Sequence, residues 1–206
     1  MSLLRQPLLV LDVETSGLPR HPWARPIEIA VVALDLAGAE VGHFSSLIRA
    51  DNLPPDADDA LRVNHLTRAE VAAAPGEAEV YKALGEWSSG LGIHVWPVTS
   101  FNTGFDRPMI ARYWFDTWGL PGLWAPCVML AAHRIMDSDV TYQGYRWDNG
   151  ELKWPRLSEA AAYFNVEVCE PQHRALGDAR TAAGIVRAIA QRRREHGQRM
   201  LPGGEA

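Results

Sequence analysis

Five residues have the types and spacing from which a metal-assisted hydrolytic site could be built. They are four acids and one histidine: Asp12, Glu14, Asp106, His173 and Asp178. Carboxylate oxygens are the ligands that hard divalent cations such as Mg²⁺ prefer. A histidine can take a proton from an attacking water near neutral pH. Together these groups would supply what phosphodiester hydrolysis requires, namely bound cations, an activated water and stabilisation of charge on phosphorus.

The first two acids lie two residues apart, where a predicted strand ends. Residues 8–13 are largely apolar and lead into the polar turn Thr15-Ser16-Gly17. Alternate residues of a strand leave the same face, so Asp12 and Glu14 can grip one ion. The pair alone means little, because about one DxE match is expected by chance in a chain with 25 aspartates and glutamates.

The other three residues also have ordinary structural explanations when each is taken alone. Asp106 follows a predicted strand and opens a helix, where the helix dipole by itself favours an aspartate. Asp178 lies near the start of the last predicted helix and His173 lies just before it. A lone histidine is more often structural or solvent-exposed than catalytic. The functional interpretation therefore depends on all five residues meeting in one place.

The rest of the sequence predicts the elements that would bring them together. Period-two and β-branched apolar runs predict strands over residues 8–13, 27–36, 41–48 and 95–101, the last broken at Pro97. Helical spacing predicts helices over residues 77–91, 107–118, 128–136, 157–164 and 175–194, and Thr67 and Glu70 match a capping box. This order predicts one α/β domain over residues 1–196, a mixed sheet flanked by helices, and a flexible C-terminal tail over 197–206.

Residues 137–155 form a polar and aromatic segment without a clear period. It contains Tyr142, Tyr145, Trp147 and Trp154. Aromatic side chains on a loop can stack on the bases of a single strand. They can equally pack against one another and stabilise the loop itself. The sequence leaves both interpretations open.

Composition limits the class of protein further. The 206 residues are 47% hydrophobic with a formal net charge of −5, which argues against a disordered chain and against a passive, basic DNA-coating protein. The two cysteines, Cys127 and Cys169, have neither a disulfide framework nor zinc-ligand spacing. No signal pattern or membrane-length apolar run is present in the sequence. We therefore predict a cytoplasmic protein with free thiols.

The candidate residues occur in segments that resemble those of a known family. Residues 10–18, VLDVETSGL, resemble the first motif of the DEDD exonucleases, and residues 102–106, NTGFD, resemble the second. His173 followed by Asp178 resembles the third motif of the histidine-bearing DEDDh branch. That branch includes ribonuclease T, oligoribonuclease and the proofreading subunit of the bacterial replicative polymerase. The resemblance extends over roughly residues 7–190, with all three motifs in order.

The resemblance implies a ribonuclease H-like fold, 3′–5′ exonuclease activity and two divalent ions, Mg²⁺ or Mn²⁺. Asp12, Glu14 and Asp178 would bind the first ion. Asp12 would also reach the second, which Asp106 would support, and His173 would be the general base. Residues implied to contact the 3′-terminal nucleotide are Thr15, Gly17, Leu18, Asn102 and Phe105.

Several alternatives stay open at this stage. The nucleic acid partner is expected to be the 3′ end of DNA, and RNA or short oligonucleotides are the alternative substrate. A polymerase or another replication or repair protein is a candidate partner, and a non-catalytic binding module is a third hypothesis. Two further residues were considered. Glu28, within an apolar strand, is predicted to be a buried, hydrogen-bonded acid rather than a metal ligand. Arg174, beside His173, is a candidate phosphate contact.

Overall fold

A computed structural model describes residues 4–93, 96–113 and 123–199 of the chain. The strands are β1 (Leu8–Thr15), β2 (Pro26–Leu34), β3 (Glu40–Leu47) and β4 (Val98–Ser100). The helices are α1 (Ala57–Val63), α2 (Arg68–Ala73), α3 (Glu77–Gly90), α4 (Thr103–Tyr113), α5 (Val128–Ser138), α6 (Leu157–Tyr163) and α7 (Ala175–Arg199). Within these ranges, strands and then helices follow one another in the predicted order.

The four strands form one mixed sheet in the order β3-β2-β1-β4. The strand β1 pairs antiparallel with β2 and parallel with β4, while β2 and β3 form the predicted antiparallel hairpin. The register of β1 against β2 shifts between Glu14 and Thr15. Such an irregularity redirects the side chains around it. The predicted mixed sheet is thus confirmed. Its first strand is irregular directly after Glu14, the second of the two acids.

Alternation along β1 decides which side of the sheet each acid faces. Leu9 and Leu11 belong to a core cluster with residues of α3 and α4, whereas Val10 belongs to a cluster with residues of α5, α6 and α7. Because side chains alternate along a strand, Asp12 and Glu14 share the face of Val10. The last helices therefore cover the face that carries the first two acids.

Buried apolar surface on both sides explains the central position of β2. All nine of its residues are buried, and its run of β-branched and small apolar residues suits a strand covered on two faces. The exception in composition is Glu28, whose side chain is taken into the interior with them. A buried carboxylate needs hydrogen-bond partners, and Arg174 and Ala175 supply them.

Several element boundaries differ from the prediction for identifiable reasons. The strand β4 has only three residues and begins directly after Pro97, whose ring cannot donate to a ladder. Helix α4 begins at Thr103, four residues earlier than predicted, and residues 114–118 lie outside the described part of the chain. Helix α7 continues to Arg199, so residues 197–199 of the predicted tail are helical, while residues 200–206 are outside the described range.

The aromatic segment between α5 and α6 has little regular structure. It contains an isolated antiparallel bridge between Arg146 and Leu152. Tyr142 packs edge-on against Tyr163, with ring centroids 5.1 Å apart. The other aromatic side chains of the segment are exposed: Tyr145, Trp147 and Trp154. The described ring contact of Tyr142 is therefore with α6 and not with another aromatic side chain of the segment.

Within the described ranges, no helix combines the length and apolar character that a membrane-crossing segment needs.

Candidate active site

Three of the four predicted acids meet above the end of β1. Asp12 and Glu14 leave β1 on one face, and Asp178 reaches them from the first turn of α7. One carboxylate oxygen of each residue lies within 4.8 Å of the others. Three carboxylates at this separation form a ligand set for a hard divalent cation.

The fourth acid, Asp106, joins the group through the backbone of β1. It lies in the first turn of α4 and is 3% exposed. Its Oδ1 accepts a hydrogen bond of 3.2 Å from the backbone amide of Val13, the residue between the first two acids. Its charge contributes to the raised pKa of Asp12. All four predicted acids are therefore brought together.

Burial is the largest cause of a raised pKa at each acid, and repulsion from neighbouring carboxylates adds to it at Asp12 and Glu14. The pKa of Asp12 rises well above its usual range, first because of burial and then because of Asp106 and Glu14. Burial, followed by the charge of Asp178, raises the pKa of Glu14 to about 8. Burial raises the pKa of Asp106 to about 7, although a hydrogen bond from Ser100 opposes the change.

The surroundings of Asp178 also disfavour the charged form of its carboxyl group. Burial raises its pKa, and the charge and backbone amide of His173 oppose that rise. Its Oδ1 is buried and accepts no hydrogen bond from the described residues. An unpaired buried carboxylate oxygen is costly, and a bound cation would remove that cost. The donor set and its electrostatics fit a divalent metal site.

His173 lies at the rim of this group rather than inside it. It is solvent-exposed and lies two residues before Ala175, the first residue of α7. Its backbone is left-handed, with φ of 56°, a conformation that a residue with a Cβ adopts only at a cost. The exposed imidazole is therefore open to water beside Asp178.

The structure also reveals a partner set around Glu28 that sequence reasoning did not foresee. Arg174 donates to both carboxylate oxygens of Glu28, from Nε at 3.0 Å and Nη2 at 2.9 Å. The backbone amide of Ala175 donates to Oε2 at 3.2 Å. The prediction of a buried, hydrogen-bonded acid agrees with these contacts. Arg174, a candidate phosphate contact, donates from Nε and Nη2 to Glu28. The signals available in the sequence were an acid within an apolar strand and an arginine beside His173.

Three of the predicted substrate contacts, Thr15, Gly17 and Leu18, lie at the end of β1 and in the loop that follows it. The hydroxyl of Thr15 donates to the carbonyl of Gly17 at 2.8 Å, and Nδ2 of Asn64 donates to the carbonyl of Thr15 at 3.1 Å. A Cβ on Gly17 would lie 2.7 Å from the ring of Trp23, so the close approach of loop and indole requires glycine. Leu18, at the tip of this loop, is 42% exposed.

The other two predicted contacts accompany Asp106. Asn102 is exposed and its carbonyl accepts the backbone amides of Phe105 and Asp106 at 2.8 and 3.2 Å. Phe105 is half-buried in the first turn of α4. Both residues therefore stand at the end of α4 that carries Asp106.

Comparison with known proteins is informative over most of the chain. The sequence profile of the RNase_T exonuclease family matches residues 9–186, which include all five candidate catalytic residues. A Mycobacterium tuberculosis protein (strain CDC 1551 / Oshkosh), described in its name as a bifunctional exonuclease/endonuclease, is 30% identical over 198 residues, covering 93% of this chain and 28% of that protein. A protein of Escherichia phage 186, named as an exonuclease, is 28% identical over 188 residues, covering 89% of this chain and 88% of its own.

A solved structure confirms the fold. Escherichia coli exonuclease I in complex with a dT13 oligonucleotide superposes with a TM-score of 0.68 at 17% identity, over 95% of this chain and 43% of that one. The chain thus spans less than half of this structure and less than a third of the mycobacterial relative. The fold is the ribonuclease H-like exonuclease fold that the sequence motifs led us to expect. By its family profile, in agreement with the resemblance of its motifs to the DEDDh exonucleases, this chain belongs to the RNase_T exonuclease family.

Proposed function

We propose that this chain is a metal-dependent 3′–5′ exonuclease of the DEDDh type that hydrolyses DNA. The observation that carries the proposal is the convergence of Asp12, Glu14 and Asp178, with oxygens within 4.8 Å of one another, in a chain of an exonuclease family. DNA is proposed over RNA because exonuclease I, of the same fold, is bound to dT13 in its solved structure. The exonuclease domain is proposed to cover residues 1–196.

Two divalent ions, Mg²⁺ or Mn²⁺, are proposed as cofactors. Asp12, Glu14 and Asp178 would hold one ion, and Asp12 with Asp106 would hold the other. When bound, such ions supply Lewis-acid stabilisation of the charge that develops on the phosphate. The raised pKa values of Glu14 and Asp106 support this assignment, because carboxylates whose charged form is penalised by burial gain most from a cation.

The chain's own residues would perform the remaining tasks. His173 would take the proton from the attacking water, and its exposed position beside Asp178 leaves room for that water. The loop of Thr15, Gly17 and Leu18 would receive the 3′-terminal nucleotide. Trp23 packs directly beneath Gly17 and keeps the loop in place. A loop that is already in its binding conformation can orient the nucleotide without first having to be ordered.

A labelled-strand time course tests the proposal. Single-stranded DNA and RNA of matched sequence, labelled at either end, are incubated with Mg²⁺, Mn²⁺ or EDTA. The variant Asp12→Asn removes one ligand charge with little change in size. The control Asp59→Asn makes the same change at an exposed acid of α1, whose side chain pairs only with Arg62 in the described structure.

Metal-dependent shortening from the 3′ end, kept in Asp59→Asn and lost in Asp12→Asn, supports the proposal. Faster degradation of RNA than of DNA would make RNA the proposed substrate and would leave the proposed mechanism unchanged. Shortening from the 5′ end would contradict the direction. If wild-type protein degrades no strand with either metal, the exonuclease assignment fails and a binding module becomes the better hypothesis.

A further inference from the structure

One carboxylate outside the group of metal ligands reaches the start of α7 from the middle of the sheet. Glu28 is 3% exposed and stands directly opposite Glu14 in the register of β1 and β2. Its Oε1 accepts from Nη2 of Arg174 and its Oε2 from Nε, at 2.9 and 3.0 Å. A two-point contact of this kind fixes the orientation of the guanidinium as well as its distance.

The same carboxylate also caps the helix. Oε2 of Glu28 accepts from the backbone amide of Ala175, the first residue of α7, at 3.2 Å. The first amides of a helix have no acceptor within it, so this long-range contact satisfies one of them. The amide of Asp178 donates to the carbonyl of Arg174 at 3.1 Å. Glu28 thus holds both the side chain of Arg174 and the amide that follows it, one turn before Asp178.

The peptide that Glu28 holds lies between the two residues of the third motif. His173 directly precedes Arg174 and has a left-handed backbone with φ of 56°. A non-glycine residue keeps this conformation only where its surroundings impose it. A shift of Arg174 and Ala175 would therefore move the imidazole of His173 and the carboxylate of Asp178 together, relative to the acids of β1.

Glu28 and Arg174 have opposite electrostatic effects on the neighbouring acids. The negative charge of Glu28 raises the pKa values of Asp12, Glu14 and Asp178. Arg174 acts in the other direction and lowers the pKa of Glu14. If one partner were lost, the other would be left as an uncompensated charge, and for Glu28 that charge would be buried.

We propose that Glu28 and Arg174 are positioning residues, whose ion pair and helix cap set where His173 and Asp178 stand relative to the acids of β1. The inference rests on the exonuclease function proposed above and extends it to two residues that neither bind the metal nor move a proton. Loss of a partner that orients a metal ligand typically costs about 10- to 100-fold in metal affinity or activity.

The chain offers matched variants for the test. Glu28→Gln keeps the size of the side chain and an acceptor for Ala175 but removes the charge. Arg174→Lys keeps the charge and gives up the two-point contact. The control pair is Glu40 of β3 and Arg180 of α7, also joined through Nε and Nη2, at 3.2 and 2.8 Å. Glu40→Gln and Arg180→Lys remove an equivalent contact between the sheet and α7 without touching the capped peptide.

Four quantities are measured for every variant. They are kcat and KM on single-stranded DNA, the affinity for Mn²⁺ by calorimetric titration in the absence of nucleic acid, and the melting temperature. We expect Glu28→Gln and Arg174→Lys to lower kcat by about 10- to 100-fold with little change in KM, and to weaken Mn²⁺ binding about tenfold. Glu40→Gln and Arg180→Lys should change neither. A merely structural contact would lower the melting temperature in both pairs and leave kcat and Mn²⁺ affinity alone.

Wild-type kcat and Mn²⁺ affinity in Glu28→Gln and Arg174→Lys would overturn the positioning role while leaving the exonuclease function intact. If wild-type protein degrades no strand, the proposed function fails and the Mn²⁺ titration alone decides: weaker binding in these variants supports the role, and equal binding overturns it. If wild-type protein does not bind Mn²⁺, both fall. If Glu28→Gln does not fold, Arg174→Lys carries the test, because its side chain is one-third exposed.

Discussion

The backbone amide of Val13 donates a hydrogen bond of 3.2 Å to Oδ1 of Asp106, 93 residues away along the chain. Val13 separates Asp12 and Glu14, so this bond ties the second acidic motif to the first through the backbone. Asp106 is thus both a candidate metal ligand and a structural acceptor. The two roles can be separated, because an amide oxygen can accept the bond but carries no charge.

We expect Asp106→Asn to abolish measurable nuclease activity while keeping or raising the melting temperature of the metal-free protein. The charge at Asp106 opposes that of Asp12, so its removal relieves repulsion while the bond from Val13 remains. Asp106→Ala should lose activity and also destabilise, by about 1–3 kcal/mol for an unsatisfied buried donor. Equal melting temperatures for the two variants would contradict the structural role of the acceptor.

The raised pKa values of the acids predict how stability depends on pH. Unfolded carboxyls titrate at about 4, whereas burial raises the pKa of Glu14 to about 8 and that of Asp106 to about 7. Between these limits the folded state holds more protons than the unfolded one. Stability from these groups is therefore fully present below about pH 4 and is lost as pH rises through about 7 to 8.

We expect the metal-free protein in EDTA to melt at a lower temperature at pH 8.5 than at pH 6, and Mg²⁺ to raise the melting temperature more at pH 8.5. Protons compete with the metal for the same oxygens, so the gain from the metal grows as the acids lose protons. Each kcal/mol corresponds to about 2–4 °C in a protein of this size. Glu14→Gln removes the carboxyl whose pKa is raised to about 8 and should flatten both dependences. An unchanged pH dependence in that variant would refute the assignment to this acid.

The exposed position of His173 makes its role separable from stability. His173→Asn removes the imidazole but keeps a residue type that tolerates the left-handed backbone found there. We expect kcat to fall by about 10²- to 10⁴-fold, the usual contribution of a general base, with a melting temperature near that of wild type. In His173→Gly, added imidazole should restore part of the rate because the position is open to solvent.

His65 provides the control for this prediction. It is also exposed and also left-handed, with φ of 55°, so His65→Asn makes the same change in a similar backbone. We expect no change in kcat there. Full activity in His173→Asn would remove His173 from the mechanism, and equal losses in both variants would point to backbone strain instead.

The order of elements could be predicted because local patterns suffice for it. A short apolar run over β1 and a longer, β-branched apolar run over β2 are visible in the sequence, and Thr67 forms the predicted capping box with Glu70. The convergence of the four acids followed from the resemblance of the motifs rather than from periodicity. Spacing places Asp12 and Glu14 on one face but says nothing of Asp106 or of α7.

The contacts of Glu28 show what the sequence could not provide. Its burial was foreseen from the apolar strand around it, but its partners lie 146 and 147 residues away, at Arg174 and Ala175. Such pairings depend on the path of α7 across the sheet, which no local pattern encodes.

The exposed aromatic side chains between α5 and α6 carry the last prediction. Tyr145 is 79% and Trp154 67% exposed, so neither contributes much to the core. The ammonium of Lys153 lies 4.4 Å from the centroid of the Trp147 ring. Aromatic rings interleaved with basic groups are typical of surfaces that stack single-stranded bases, and the segment packs on the helices that cover the face of Asp12 and Glu14.

We expect Tyr145→Ala and Trp154→Ala to raise KM for long single strands and to leave kcat and the melting temperature close to wild type. A stacked base contributes about 1–3 kcal/mol, which corresponds to a rise in KM of about 5- to 150-fold. Trp154→Phe should keep most of the affinity because a ring remains, and Val140→Ala, an exposed apolar change in the same segment, should have no effect.

Unchanged KM together with a lower melting temperature would instead assign these rings to the stability of their own loop. A rise in KM for long strands but not for dinucleotides would locate the contact upstream of the scissile bond, since only a longer strand can reach beyond the terminal nucleotide.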